Sequence, residues 1–127
     1  MQVTRQIVVA APVEDVWDAL TASERLSEWF ANDAELEAVP GGTGRFGWGD
    51  GTRREAVVET VDDERALVFR WGTSTEDESR VEITLDRVED GTRVTVTETA
   101  LGALARVGEW SGALLALALC VGTPALA

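Results

Sequence analysis

From residue 33 onward the sequence is built of short runs in which apolar and polar residues alternate: "AELEAV", "GRFGWG", "REAVVETV", "ALVFRWG", "SRVEITLDRV" and "TRVTVTETA". A period of two sends successive side chains to opposite faces of an extended chain, so each run reads as a half-buried strand. Between the runs stand clusters that favour turns, namely "PGG" at 40–42, "GDG" at 49–51, "DDER" at 62–65, "STEDES" at 74–79 and "EDG" at 89–91. A parallel crossover needs about a dozen residues or more, and these connections are shorter. The chain is committed to an antiparallel meander of six strands.

The alternation also sorts the faces. Leu67, Phe69 and Trp71 share one side, as do Val81, Ile83 and Leu85, and Val94 and Val96 with Glu98. Arg70, Arg80, Glu82, Thr84, Arg93, Thr95 and Thr97 take the other. One face is therefore wet and the other has to be covered.

Before the meander, residues 3–10 alternate in the same way, with Val3, Ile7 and Val9 against Thr4 and Gln6. Pro12 then suits a first helical position, and the acidic residues after it suit a helix N-terminus. Val13, Val16, Trp17 and Leu20 recur at helical spacing, and so do Leu26, Trp29 and Phe30 after a second start near Thr21 or Ser23. The cover for the sheet is expected from a last helix over about 103–121, although Gly102, Gly108 and Gly112 weaken its first half. At ~100° per residue Trp110, Leu114, Leu117 and Val121 form one stripe, and Leu115 and Leu119 fall on the opposite side. Those two leucines are either simply exposed or the interface of a weak homodimer. Beyond Val121, Gly122 and Pro124 end the helix and the final "ALA" is expected to fray.

Composition removes whole classes of function. The chain of 127 residues fits one domain spanning 1–127, of class α+β and order β-α-α-β(6)-α. Its net charge is −12, with no Lys and with Arg scattered from Arg5 to Arg106, so neither nucleic acid nor an anionic membrane is an expected partner. No His, Lys or Tyr is present, which removes the commonest general base, Schiff-base chemistry and phenolic acid catalysis. One cysteine, Cys120, allows no intrachain disulfide, points to a reducing, cytoplasmic setting, and reads as a small core residue. The apolar run of residues 113–121 would span roughly 14 Å as a helix, about half a bilayer core. The run "IVVAAPV" is at the lower limit for an export signal and reads as a strand entering a helix. Neither a membrane span nor export is expected.

Two formal motifs dissolve in context. "GTGRFG" at 42–47 spells a dinucleotide fingerprint, but that fingerprint must open a helix, and here the chain continues as a strand. The acidic groups at 62–64 and 76–78 lack calcium-loop spacing and lie where turns are expected. No metal or cofactor is expected.

The order of elements resembles the helix-grip fold of the START and Bet v 1-like (SRPBCC) superfamily, a seven-stranded antiparallel sheet wrapped around a C-terminal helix. Local sequence is more specific: "IVVAAPVEDVWDALTASERLSEWF", "GRFGWG", "LVFRWG", "TRVTVTETAL" and the "GEW" before the apolar tail are similar to Activator of Hsp90 ATPase homologue 1-like (AHSA1-like) domains. The resemblance covers nearly the whole chain and implies an apolar cavity between sheet and terminal helix.

Candidate lining residues are Trp29, Phe30, Trp48, Phe69, Trp71, Trp110, Leu114 and Leu117, with core packing as the competing reading for each. Glu98 and Arg106 are candidates to orient a ligand. Glu98 continues the inward parity of its strand, so it either points into the core or reaches water at the strand's end. The first expectation is a non-enzymatic domain for a small apolar or aromatic ligand. A protein-interaction module of the chaperone-regulating kind comes second, and a polyketide cyclase or dehydratase using Glu98 third.

Overall fold

The computed structural model describes residues 1–122. Strand β1 (Gln2–Val9) leads into helices α1 (Val13–Thr21) and α2 (Ser23–Trp29). Then come β2 (Asp33–Leu36), β3 (Thr43–Gly47), β4 (Arg53–Asp62), β5 (Ala66–Gly72), β6 (Ser79–Val88) and β7 (Gly91–Ala100), and last α3 (Ser111–Leu117). All six strands expected in the meander are present. They form one antiparallel sheet in the order β1-β7-β6-β5-β4-β3-β2, so the first strand closes beside the last and every other neighbour is a hairpin.

The faces follow the alternation. Leu67, Phe69, Trp71, Val81, Ile83, Leu85, Val94, Val96 and Glu98 are all buried. Opposite them the charged residues pair across strands, with Glu59 accepting from Arg80 and ion-paired with Arg70. Glu59 sits where the β4–β5 register shifts between Val58 and Thr60.

The helices differ from the sequence expectation at their starts. Pro12 is extended (φ −63°, ψ 153°) and precedes α1 instead of opening it, and its carbonyl accepts from the amides of Asp15 and Val16. Ser23 does not cap α2. Its hydroxyl accepts from the amide of Leu36 at 3.0 Å, while Ser27 accepts from Ala34, so α2 is tied to β2 by its serines.

The larger correction concerns the tail. Residues 101–110 are not helical, and α3 begins only at Ser111. Amides at its start bond to another part of the chain: Leu101 and Gly102 donate to the carbonyl of Glu78, and Leu104 to that of Glu76. Gly102 lies so close to the Glu76 carbonyl that a β-carbon would collide with it. A strap along the β5–β6 connection is therefore favoured over an early helix. After α3 the chain continues as a π-helical turn over Ala118–Gly122.

The stripe read from the tail is otherwise as expected. Trp110, Leu114 and Leu117 are buried and Val121 packs against the core, while Leu115 and Leu119 are 54% and 66% exposed. Cys120 is half-buried with its Sγ 3.6 Å from a carboxylate oxygen of Glu28, so it is not a core residue. The stop at Pro124 and the final "ALA" lie outside the described residues. No helix among the described residues is long and apolar enough to cross a membrane.

Candidate functional site

The inward parity of β7 carries Glu98 into the core, where it is 1% exposed. A lone carboxylate there would be costly, but this one is surrounded by donors. Its Oε1 accepts from the amide of Gly108 at 2.6 Å and from the indole of Trp110 at 3.0 Å. Its Oε2 accepts from the indole of Trp71 at 3.0 Å and from the hydroxyl of Ser79. The guanidinium of Arg54 stands 4.0 Å from that same oxygen. Burial pushes the Glu98 carboxyl up, and the bonds from Ser79, Gly108, Trp71 and Trp110 together outweigh it, so the group is held below the usual carboxylate range. Glu98 is ionised and fully partnered.

Around this carboxylate the aromatic residues form one continuous cluster. Phe30, at the end of α2, stacks on Trp71 and on Trp110 with centroids 5.7 Å away in both cases. Trp71 stacks on Trp110 at 5.9 Å, and Trp48 meets both Phe30 and Trp71 edge to face. Such pairs contribute about 0.5–1.5 kcal/mol each beyond the area they bury. The indole N–H groups are all engaged: Trp29 donates to the carbonyl of Ala19, Trp48 to that of Phe30, and Trp71 and Trp110 to Glu98. What these side chains present to their surroundings is ring.

A cleft of about 480 Å³, open to solvent on one side, lies against this cluster. Phe30, Trp48, Trp71 and Trp110 form its aromatic walls, Glu98 and Arg54 its polar floor, and Asp50 and Glu109 part of its rim. Trp48, Asp50 and Thr52 come from the β3–β4 hairpin, where the Trp48 amide donates to the Thr52 carbonyl and Gly51 takes the positive φ (90°) that the turn needs. Farther under the sheet a void of about 20 Å³ lies among Leu20, Leu26, Trp29, Phe30, Phe69 and Trp110. The space lies at one end of the grip, not along its length.

Of the residues singled out in the sequence, Phe30, Trp48, Trp71, Glu98 and Trp110 come together at the cleft. Trp29, Phe69, Leu114 and Leu117 lie behind it and pack in the core. Arg106 is exposed on the 101–110 strap, because the helix that would have aligned it with Trp110 starts later. Arg54, Asp50, Thr52 and Ser79 were not anticipated. Ser79 was legible, being two residues before Val81 on the same face, and Arg54 likewise shares the parity of buried Ala56 and Val58. Among the described residues no group of three or more acidic or cysteine side chains is placed to hold a metal ion.

An α+β sheet curled over a terminal helix, with a cleft at its open end, defines a helix-grip domain. The family model for Activator of Hsp90 ATPase homolog 1-like proteins matches residues 10–112, and the chain belongs to that family. Solved structures agree on the fold. A Mesorhizobium loti protein superposes with a TM-score of 0.84 at 19% identity, over 94% of this chain and 96% of its own. The Aha1 dimer from Colwellia psychrerythraea gives 0.82 at 21%, over 96% of each chain. DynU16, a protein in the dynemicin biosynthetic locus, gives 0.80 at 28% over 92% of this chain, which spans 45% of the DynU16 chain. No curated protein matches the sequence.

Proposed function

We propose that this domain binds a small, apolar or aromatic, ring-bearing molecule in the Trp48–Trp110 cleft and does not transform it. The observation that carries the reading is the wall of four aromatic side chains around an open volume whose size falls within the roughly 300–1,000 Å³ of small-molecule sites. With the indole N–H groups already bonded, the walls offer stacking faces and little else.

Glu98 argues against the cyclase reading, for which it was the candidate acid. It is held in its ionised form and both oxygens are occupied by donors, so it has neither a proton to give nor a free lone pair aimed at a ligand. The chaperone-regulating reading draws on the family's name, and no residue described above favours it.

The expected result is quenching of tryptophan fluorescence by a planar probe such as naphthalene, with affinity lowered about tenfold in Trp48→Ala, the loss of one stacking partner worth ~1–1.5 kcal/mol. Trp48 is half-buried, so the variant should keep its fold. Equal binding by wild type and variant would move the site away from this cleft.

A weak homodimer is the second part of the proposal. Leu115 and Leu119 stand side by side on the outer face of α3 and the turn after it, more than half exposed, and a second copy is the partner we assign to them. The dimer of the Colwellia relative supports this choice. Sedimentation should show the wild-type mass rising with concentration and Leu115→Glu remaining monomeric, whereas an identical mass for both proteins at every concentration would end the idea.

A further inference from the structure

The two edges of the sheet are finished differently. At the β2 edge the amides of Ala34 and Leu36 donate to the hydroxyls of Ser27 and Ser23 at 3.2 and 3.0 Å, so α2 seals that side. On the other side β1 ends the sheet, with eight residues and no strand beyond it. Its register shows which groups face outward. The amide of Ala100 donates to the carbonyl of Met1 at 2.9 Å, so Val3, Arg5, Ile7 and Val9 exchange bonds with β7, and the backbone groups of Gln2, Thr4, Gln6 and Val8 point away from the sheet. Among the described residues the amides of those four have no partner, and of their carbonyls that of Thr4 alone accepts a bond, from Arg5 Nη1 at 2.9 Å.

The devices that blunt a free edge are missing as well. The β1–β7 register runs without a shift, and β1 holds no proline. Arg5 is the one charged side chain in residues 1–13, and its Nε and Nη2 both donate to Glu109. The outer side of the strand shows Gln2, Thr4, Gln6 and a Val8 that is 47% exposed.

Charge decides what fits such an edge. A polyanion or a polycation finds nothing here to pair with. A second copy, at a net charge of −12, is repelled over most of the surface but meets almost no charge along β1. A neutral strand with a free edge of its own is the complement, and β1 is itself such a strand. In addition α3 packs beside β1, which places its exposed Leu115 on the same side of the domain.

Resting on the reading that a second copy associates with this chain, we infer that the two copies join along β1, antiparallel about a two-fold axis at Gln6, into one sheet of fourteen strands, seven from each. Both backbone groups of Gln6 are free, whereas the Thr4 carbonyl already holds Arg5. Pairing about Gln6 sets Thr4 opposite Val8 of the second copy and covers that valine. Pairing about Arg5 would bring two guanidinium groups together.

Sedimentation over a range of concentrations, on wild type and Gln6→Pro, tests this. Proline at position 6 removes an outward N–H and leaves the β1–β7 ladder intact, because the Gln6 amide does not bond to β7. It removes both central bonds of the seam at once, so the dissociation constant should rise at least about tenfold. Amide hydrogen exchange on wild type is the second readout. The Gln6 and Val8 amides should exchange about tenfold more slowly in concentrated than in dilute protein, whereas those of Arg5 and Ile7, bonded to β7, stay slow throughout. A dimer that forms equally well in Gln6→Pro, or Gln6 and Val8 amides whose rates ignore concentration while the mass rises, would overturn the seam and leave the Leu115 and Leu119 face as the contact. A mass that never rises would end the second-copy reading and take the inference with it. Should Gln6→Pro not fold, the exchange rates of the wild type decide the matter.

Discussion

Glu98→Gln is expected to lower the stability of the domain by about 2–4 kcal/mol, read from a denaturant titration. The substitution preserves shape but replaces an acceptor oxygen by an NH₂ group that must face two of the four donors now bound to the carboxylate. A buried donor then loses its partner, which costs more than the bond it made. The pH dependence follows from the direction of the shift. A carboxyl held below its unfolded value contributes stability that is fully present above the usual carboxylate range and is lost as the pH falls through the folded-state value. Wild type should therefore lose stability on acidification below that range, and Glu98→Gln should lose less over the same interval. An equal acid dependence in the two proteins would mean that Glu98 is not held ionised.

Trp110→Ala should cost about 3–5 kcal/mol, as large-to-small changes of buried aromatics do. Trp110 is 7% exposed, stacks on Phe30 and Trp71, and satisfies one lone pair of Glu98. Because the two residues are bonded to each other, the double variant with Glu98→Gln should be less destabilised than the sum of the singles. Strict additivity would mean that the hydrogen bond between them contributes nothing. Near-ultraviolet circular dichroism gives a second readout, since the stacked geometry of Phe30, Trp71 and Trp110 is lost with the ring.

Most of the sheet was legible because its information is local. Period-two alternation and turn residues between "ALVFRWG", "SRVEITLDRV" and "TRVTVTETA" fix which strands pair and which faces are buried. The tail shows where that stops. Its apolar stripe from Trp110 to Val121 points inward as read, yet the helix start depends on carbonyls of Glu76 and Glu78, which lie in another part of the chain. No periodicity within 101–110 could reveal that competition. The site divides in the same way. Glu98 inward follows from parity, whereas its four donors come from two strands, a strap and the residue before α3, and only the folded register brings them to one carboxylate. Arg54 differs: the parity of its own strand points it inward with Ala56 and Val58, but an arginine next to Arg53 reads as surface charge.

The partners of Glu98 stand 27, 19, 10 and 12 residues from it in the chain. Each contact closes a loop, and the two longer ones require β5, β6 and β7 to be in register before a donor reaches the acceptor. The carboxylate can thus be satisfied only late in folding, and until then its charge opposes the collapse of the ring cluster around it. A chain whose meander has slipped by one residue would turn Glu98 to solvent and leave no cleft at all.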